Sequence, residues 1–312
     1  MNEQDSLFNV NAEKFKTEYK KTVINTIKDS VKKKTKISSE GFHGWLGGKK
    51  AKAEQLISIL PPHKKYIEIF MGSAAVFFTK QKVTFNIIND INDNLVNLYE
   101  VLRNGGDQFD NFLYILYNSI SSKTLFDEYF KQYKNKEFSK LAKGDRAAIY
   151  YYLLIHTFNN DMMVGTYAHN DSDFTKSTIA KIMRSREKLK NVIIENMDYT
   201  KLIKKYNQKN SQTLFFGDPP YVVADDGKYY EYVFSEDDHR MFAFQMQEIH
   251  RKGNHFVLTY DNVPLIRQLY KQYNIMEMEY TYSSSVTKNK GQTKKIELVI
   301  TNNESAKQIS MF

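Results

Sequence analysis

The chain has 312 residues, a formal net charge of +9, a pI near 9.2 and no cysteine. The lack of cysteine excludes a disulfide framework and thiolate chemistry, and no apolar stretch approaches the length of a membrane span. The N-terminus also shows no signal-peptide core, so we expect a soluble intracellular protein. The length allows one catalytic domain with an inserted subdomain, and the positive charge favours a polyanionic partner.

The first predicted element is an amphipathic helix in a basic extension, residues 1–40. Apolar residues recur there at four-residue steps, which places them on one stripe of a helix: Phe15, Tyr19, Val23, Ile27 and Val31. Lysines occupy much of the remaining surface: Lys14, Lys20, Lys21, Lys28 and Lys32. Two interpretations remain open, a helix packed on the main domain with a solvated basic face, or a contact with DNA or a partner.

The next segment predicts a strand at residues 65–70, a tight turn at residues 71–74 and a helix from residue 75. Gly72 lets the backbone approach a ligand, and the start of a helix offers N–H donors and a favourable dipole. A second strand ends at Asp90, about twenty residues beyond the turn, the spacing at which a carboxylate accepts from the hydroxyls of a nucleoside ribose. These features of the first half of the chain would be equally suited to binding a dinucleotide.

The middle of the chain predicts a helical insert. A helix through Leu95, Leu98 and Leu102 ends at Gly105, and residues 104–185 are helical in pattern and rich in aromatic residues. We expect these rings to form the core of a small subdomain rather than to stack on bases: Phe109, Phe112, Tyr114, Tyr117, Phe126, Tyr129, Phe130, Tyr133, Tyr150, Tyr151 and Tyr152.

Strands resume after the insert at residues 192–194, 213–217 and 255–260. Ser235 and Asp238 have the spacing of a capping box that begins a helix, and Gly253 is expected to end it. The last predicted element is a hairpin with strands at residues 275–280 and 296–300.

Asp218, Pro219, Pro220 and Tyr221 follow directly on the apolar run 213–217, where open α/β sheets bind their ligands. Proline fixes φ and has no N–H, so we expect the Pro219 carbonyl to point outward as an acceptor. A carboxylate, a carbonyl and an aromatic ring form a receptor for an aromatic amine. A lone Asp-Pro pair would indicate only a turn, but four such residues after Phe-Phe-Gly favour a functional site.

Between the hairpin strands we expect a loop at residues 283–295 that carries Lys288, Lys290, Lys294 and Lys295. Its lysines, glycine and hydroxyl side chains suit contacts with phosphates, which position a protein on DNA without reading sequence. A merely solvated loop is the other interpretation. The histidines, among them His43, His63, His156, His169 and His239, show no spacing of metal ligands, and we expect no metal.

Four segments in this order resemble the Dam-type (D12 class, α-group) DNA adenine-N6 methyltransferases: residues 45–49 (Trp-Leu-Gly-Gly-Lys), 69–73 (Ile-Phe-Met-Gly-Ser), 90–95 (Asp-Ile-Asn-Asp-Asn-Leu) and 218–221 (Asp-Pro-Pro-Tyr). The resemblance covers residues 42–103 and 190–302. The last motif is the most specific. The run of glycine, threonine and basic residues before the final strand is also similar to that family.

The resemblance implies S-adenosyl-L-methionine as cofactor, bound by Trp45, Lys49, Glu68, Phe70, Gly72, Asp90, Ile91, Asp198 and Asp218. It also implies that Asp218, Pro219, Pro220 and Tyr221 are the catalytic residues that hold a flipped adenine. Ala74 stands where the family usually has a second glycine, and we expect it to tighten the cofactor turn and weaken binding.

The fold implied is α/β: a Rossmann-like methyltransferase sheet with a C-terminal antiparallel hairpin and an inserted helical target-recognition subdomain. We expect the catalytic domain at residues 41–103 and 186–312 and the target-recognition insert at residues 104–185. The partner implied is double-stranded DNA, with a cognate restriction endonuclease as a further possibility, and the location is the cytoplasm, on the nucleoid.

Target recognition is expected in the insert at Asn159, Asn160, Thr166, His169 and Asn170. Residues 159–170 contain no arginine, the residue most often bidentate to guanine, so GATC is only a weak guess for the target. Three other classes remain: an RNA adenine methyltransferase, a catalytically silent nucleic-acid-binding protein, and a nicotinamide oxidoreductase. The incomplete glycine motif and the intact Asp218 quartet disfavour the last two.

Overall fold

The computed structural model describes the following residues: 17, 18, 20–26, 29, 41–43, 49, 52–158, 162, 165–169, 176–222, 234–282 and 293–304. Within these residues, none of the helices is both long enough and apolar enough to cross a membrane.

The elements alternate between strands and helices on both sides of a helical stretch. In chain order they are α1 (Ala53–Ser58), β1 (Lys65–Glu68), α2 (Ala75–Thr79), β2 (Phe85–Asn89), α3 (Asp93–Asn104), α4 (Gly106–Asn118), α5 (Lys123–Tyr133), a 3₁₀ helix (Lys136–Lys140), α6 (Lys143–His156), α7 (Lys176–Leu189), β3 (Ile193–Glu195), α8 (Tyr199–Tyr206), β4 (Thr213–Gly217), α9 (Glu236–Arg251), β5 (His255–Asp261), α10 (Pro264–Leu269), β6 (Asn274–Tyr282) and β7 (Thr293–Thr301).

The strands form one seven-stranded sheet in the order β3-β2-β1-β4-β5-β7-β6. Strands β1 to β5 run parallel, and β7 pairs antiparallel with both β5 and β6. This is the predicted Rossmann-like sheet with its C-terminal hairpin. The strand order reverses between β1 and β4, and such a switch point leaves a crevice beyond the carboxyl ends of the two strands. Glu68 and Phe216 are register partners at these ends.

The parallel strands are apolar because helices cover both faces of such a sheet. All five residues of β4 are buried, and Phe215 packs in one core with Phe242 and Met246 of α9. The predicted capping box starts α9: the Asp238 N–H donates to Ser235 Oγ (3.3 Å), and the Ser235 N–H donates to Asp238 Oδ2 (2.9 Å).

The chain divides into two compact units, residues 1–46 with 97–190, and residues 47–96 with 191–312. The basic extension thus belongs to the same unit as the insert. Lys20 Nζ donates to Asn111 Oδ1 of α4 (2.6 Å), while Val23 and Ile24 are buried. The extension therefore packs on the insert, a third possibility beyond the two left open by the sequence. Several of its residues lie outside the described ones: Lys14, Phe15, Tyr19, Ile27, Lys28, Val31 and Lys32.

Six of the eleven aromatic residues named for the insert are buried in its core, as predicted, while Tyr114, Tyr129, Phe130 and Tyr133 are half-buried. Fully buried rings lie on three of its helices: Phe109 and Phe112 on α4, Phe126 on α5, and Tyr150, Tyr151 and Tyr152 on α6. The prediction is wrong for Tyr117, whose side chain is exposed near the end of α4.

The hairpin differs from the prediction in its strand lengths. β7 begins at Thr293, and Tyr280 and Thr281 of β6 pair with Lys295 and Lys294. These two lysines are strand residues rather than loop residues, because the ladder continues beyond the apolar part of each strand. The segment between the strands, with Lys288 and Lys290, lies outside the described residues.

Candidate active site

A tight turn follows β1 at the carboxyl end of the parallel strands. The Met71 N–H donates to the carbonyl of Asn89 (2.8 Å), and Gly72 has a φ of 45°. The Gly72 N–H donates to Asp90 Oδ2 and the Asn92 N–H to Asp90 Oδ1, both at 3.0 Å. The Asp90 carboxylate, which the sequence predicted to bind a ribose, therefore fixes the turn, and its remaining lone pairs can accept further hydrogen bonds.

Burial raises the pKa of the Asp90 carboxyl, and the N–H donors of Asn92, Gly72 and Ile91 oppose that rise. These donors favour the charged form, because hydrogen bonds to a carboxylate stabilise its negative charge.

Ala74, which replaces the second glycine, is buried with a φ of 49°. An alanine in this left-handed region costs about 1 kcal/mol relative to glycine because its Cβ crowds the backbone. Its N–H donates to the Met71 carbonyl (2.5 Å), so Ala74 closes a strained turn immediately before α2. Backbone strain of this kind tends to concentrate at functional sites.

Asn89, the last residue of β2, connects three segments at the carboxyl ends of the parallel strands. Its amide Nδ2 donates to the carbonyls of Ile69 (2.9 Å) and Met197 (3.0 Å), and its Oδ1 accepts from the Met197 N–H (3.1 Å). The ends of β1 and β2 and the segment after β3 are thereby held together. Sequence reasoning missed this residue, although a polar side chain inside an apolar strand is a usable signal.

Glu68 lies at the end of β1 and is only 3% exposed. Its Oε2 accepts from the Tyr66 hydroxyl (2.8 Å) and from the N–H of Phe77 in the first turn of α2 (3.1 Å). Burial raises its pKa to about 8. The structure thus places Glu68 beneath the turn, where it links β1 to α2.

Three further predicted cofactor residues, Ile91, Phe70 and Asp198, lie in the segments that follow β2, β1 and β3. Ile91 is 42% exposed next to Asp90, and Phe70 is half-buried with its ring edge-on to Phe242 at 5.4 Å. Asp198 caps α8 and accepts from the Thr200 N–H (2.9 Å) and hydroxyl. Trp45 lies outside the described residues.

Asp218 directly follows β4, the neighbour of β1. Lys49 Nζ lies 2.8 Å from its Oδ2, and Thr259 Oγ1 on β5 donates to its Oδ1 (2.7 Å). Burial raises the pKa of Asp218, while the Lys49 ammonium and the Thr259 hydroxyl oppose that rise. Lys49, which was predicted to bind the cofactor, thus contacts the carboxylate of the predicted catalytic residue Asp218.

Tyr221 lies beside the same lysine. The Lys49 ammonium is 5.0 Å from the centre of the Tyr221 ring, and Tyr260 is stacked on this ring at 6.5 Å between centroids. Pro219 is buried, and Pro220 and Tyr221 are half-buried. A charged lysine, a carboxylate and an aromatic ring therefore meet at the carboxyl end of β4. Thr259 was missed by the sequence reasoning, and its hydroxyl in a buried apolar strand was the available signal.

The predicted recognition residues lie in the other unit, at the end of α6. An antiparallel bridge joins Thr157 to Tyr167, and the Phe158 N–H donates to the Thr166 carbonyl (2.8 Å), so this segment forms the base of a hairpin. Thr166 and His169 are exposed, and His169 Nδ1 lies 3.1 Å from the Tyr167 hydroxyl. Asn159, Asn160 and Asn170 lie outside the described residues.

Comparison with known proteins identifies similar enzymes over most of the chain. The model of the D12 class N6 adenine-specific DNA methyltransferase family matches residues 45–284. A type II methyltransferase of Lactococcus lactis subsp. cremoris, M1.LlaDCHI, is 26% identical over 86% of this chain and 97% of its own length.

Two other relatives come from an archaeon and a phage. The type II methyltransferase M.MjaIII of Methanocaldococcus jannaschii is 28% identical over 76% of this chain and 90% of its own length. The DNA N-6-adenine-methyltransferase of Escherichia phage P1 is 25% identical over 72% of this chain, which spans 30% of the phage protein.

Proposed function

The chain belongs to the D12 class N6 adenine-specific DNA methyltransferase family, and we propose that Asp218 and Tyr221 hold the adenine that it methylates. The proposal rests on the position of the Asp218 carboxylate at the end of β4, where it forms an ion pair with Lys49 and accepts a hydrogen bond from Thr259. The methyl donor proposed is S-adenosylmethionine, bound at the neighbouring end of β1.

The residues after β1 and β2 fit an adenosyl group. The Asp90 carboxylate has lone pairs for ribose hydroxyls, and the exposed Ile91 side chain offers an apolar surface for a flat base. Gly72 lets the backbone approach closely, since it has no Cβ. We propose that Glu68 and Asp198 support this site by fixing α2 and the start of α8, because both carboxyl groups accept hydrogen bonds from neighbouring N–H groups.

When bound, S-adenosylmethionine supplies a sulfonium methyl group, whose C–S bond breaks as the bond from carbon to adenine N6 forms. The exocyclic amine is a poor nucleophile because its lone pair is delocalised into the ring. Asp218 and the Pro219 carbonyl accept hydrogen bonds from its two N–H groups and favour a pyramidal nitrogen. The remainder of the catalysis is positioning in a site that excludes water.

Asp218 also receives the proton that the methylated nitrogen loses. That proton becomes acidic only as the nitrogen gains positive charge, so Asp218 need not start as a strong base. Lys49 stabilises the carboxylate before the amine arrives, and burial favours the protonated acid afterwards.

The adenine must leave the duplex to reach Asp218, and Tyr221 offers a ring on which the base can stack. Tyr260 already stacks on this ring, at 6.5 Å between centroids. An aromatic surface at this place offsets part of the free energy lost when the base leaves the helix.

We propose that DNA is held by the insert and by the hairpin lysines. The residues proposed to read the target sequence are Asn159, Asn160, Thr166, His169 and Asn170. The residues proposed to contact phosphates are Lys288, Lys290, Lys294 and Lys295. The names of two relatives support a restriction-modification system and thus a cognate endonuclease. Binding to DNA would place the enzyme on the nucleoid.

Methyl transfer from labelled S-adenosylmethionine to unmethylated duplex DNA and to RNA of equal length tests this proposal. We expect N6-methyladenine in the duplex after digestion to nucleosides. Faster transfer to RNA would contradict the duplex assignment, and no transfer from S-adenosylmethionine would contradict the donor.

A further inference from the structure

A second buried ion pair lies beside the pair of Lys49 and Asp218. Lys52, at the start of α1, places its Nζ 2.5 Å from Oε2 of Glu297 on β7. Both residues are only 7% exposed. The backbone N–H of Lys52 donates to the Lys49 carbonyl (3.0 Å), so the two lysines belong to one turn.

Stability alone does not explain this second pair. A buried ion pair loses hydration on both sides, and apolar residues of similar volume often give equal or higher stability. Desolvation accordingly lowers the pKa of Lys52 despite its carboxylate partner. The two lysines and two carboxylates form one charge network, because Lys52 interacts electrostatically with Asp218, and Glu297 does so as well.

We propose that Lys52 and Glu297 are positioning residues for methyl transfer. Their pair fixes the turn that carries Lys49 and balances the charge around Asp218. The inference rests on the proposed function of Asp218 and extends it to a pair of residues that contact neither the adenine nor the methyl donor.

Several groups face Asp218 from the surrounding elements. Lys49 and Lys52 come from the turn before α1, Thr259 from β5, Glu297 from β7 and Glu68 from the end of β1. The two members of the second pair act on Asp218 with opposite signs. Removal of Lys52 leaves the Glu297 anion unbalanced and disfavours the ionised Asp218, whereas removal of Glu297 leaves a cation that favours it.

The test compares Lys52→Met, Glu297→Gln and the double variant Lys52→Met/Glu297→Met. One readout is the acidic limb of the pH profile of kcat/KM, which reports ionisation in the free enzyme. The other is a carbon-13 NMR titration of aspartate carboxyl groups, in which Asp218→Asn assigns the Asp218 signal. The second readout needs neither cofactor nor activity.

Lys52→Met is expected to move the Asp218 titration to higher pH and Glu297→Gln to lower pH. Each shift should be about half a pH unit or more, the scale for an unbalanced charge several Å away at the effective dielectric of a protein. The double variant should titrate near the wild type but show lower kcat, because the turn with Lys49 loses its anchor. A pair that only held α1 against β7 would leave the kcat of the folded double variant at the wild-type value, and that result would also overturn the inference.

Shifts in the same direction, or no shift in folded single variants, would overturn the inference. If a single variant does not fold, Glu297→Asp and the double variant provide the test, because both keep the charge balanced and must titrate near the wild type. A shift of more than half a pH unit in either would overturn the inference. Methyl transfer retained in Asp218→Asn would instead refute the proposed function, while the titrations would still report the network.

Discussion

Lys49 and Asp218 form a largely buried ion pair, 2.8 Å from Nζ to Oδ2, at the carboxyl end of β4. The same ammonium lies 5.0 Å from the centre of the Tyr221 ring. A single cation therefore orients both the carboxylate and the ring proposed to hold the adenine. When the amine arrives, Asp218 can accept its N–H while Lys49 and Thr259 keep the carboxylate in place.

The first prediction concerns the raised pKa of Glu68, which burial places at about 8. The folded state then binds a proton that the unfolded state has already released, so stability falls as pH rises from about 4.5 to about 8. Each pH unit in this interval lowers the free energy of unfolding by up to about 1.4 kcal/mol.

Glu68→Gln mimics the protonated carboxyl and should remove this dependence in thermal unfolding measured from pH 5 to 8. Glu54→Gln, which neutralises an exposed carboxylate on α1, is the matched control and should follow the wild type. Parallel curves for wild type and Glu68→Gln would show that Glu68 is ionised throughout.

The second prediction concerns stacking by Tyr221. In duplexes with 2-aminopurine at the target position, Tyr221→Ala should reduce the fluorescence change that accompanies base flipping, because the stacking surface is lost. Tyr221→Phe keeps the ring and should retain most of the change, while Tyr221→Leu, of similar bulk but not aromatic, should resemble alanine. Equal losses in the alanine and phenylalanine variants would assign the effect to the hydroxyl instead.

The third prediction places target choice in the hairpin after α6. Substitution of Asn159, Asn160, Thr166, His169 and Asn170 by alanine should relax the methylated motif, because side chains that reach base edges are removed. Sequencing of the modified DNA should show discrimination reduced by about 1 to 3 kcal/mol at each position read. Glu128→Ala, an exposed change on α5 of the same unit, should leave the motif unchanged. An unaltered motif in the fivefold variant would place recognition elsewhere.

Local patterns predicted the elements of the fold better than the contacts of the site. The run before Asp218 and the turn at Gly72 are contiguous in sequence, and both were located from strand and turn signals. Thr259 and Glu297 were missed because their partners are 41 and 245 residues away in the chain, and only the completed sheet brings them together. Lys294 and Lys295 were assigned to a loop because they are charged and lie outside the apolar run. In the structure they are strand residues, since backbone hydrogen bonds between strands do not require apolar side chains.

Asp218 is proposed to act on the adenine amine, and Asp218→Ala tests this role when its turnover is compared with its cofactor binding. An interaction made mainly in the transition state lowers kcat far more than it lowers ground-state affinity. We predict that single-turnover methylation of duplex DNA is abolished, whereas the Kd of S-adenosylmethionine measured by calorimetry changes much less. Substantial methylation by the folded variant, or a loss of cofactor affinity as large as the loss of turnover, would rule out this role of Asp218.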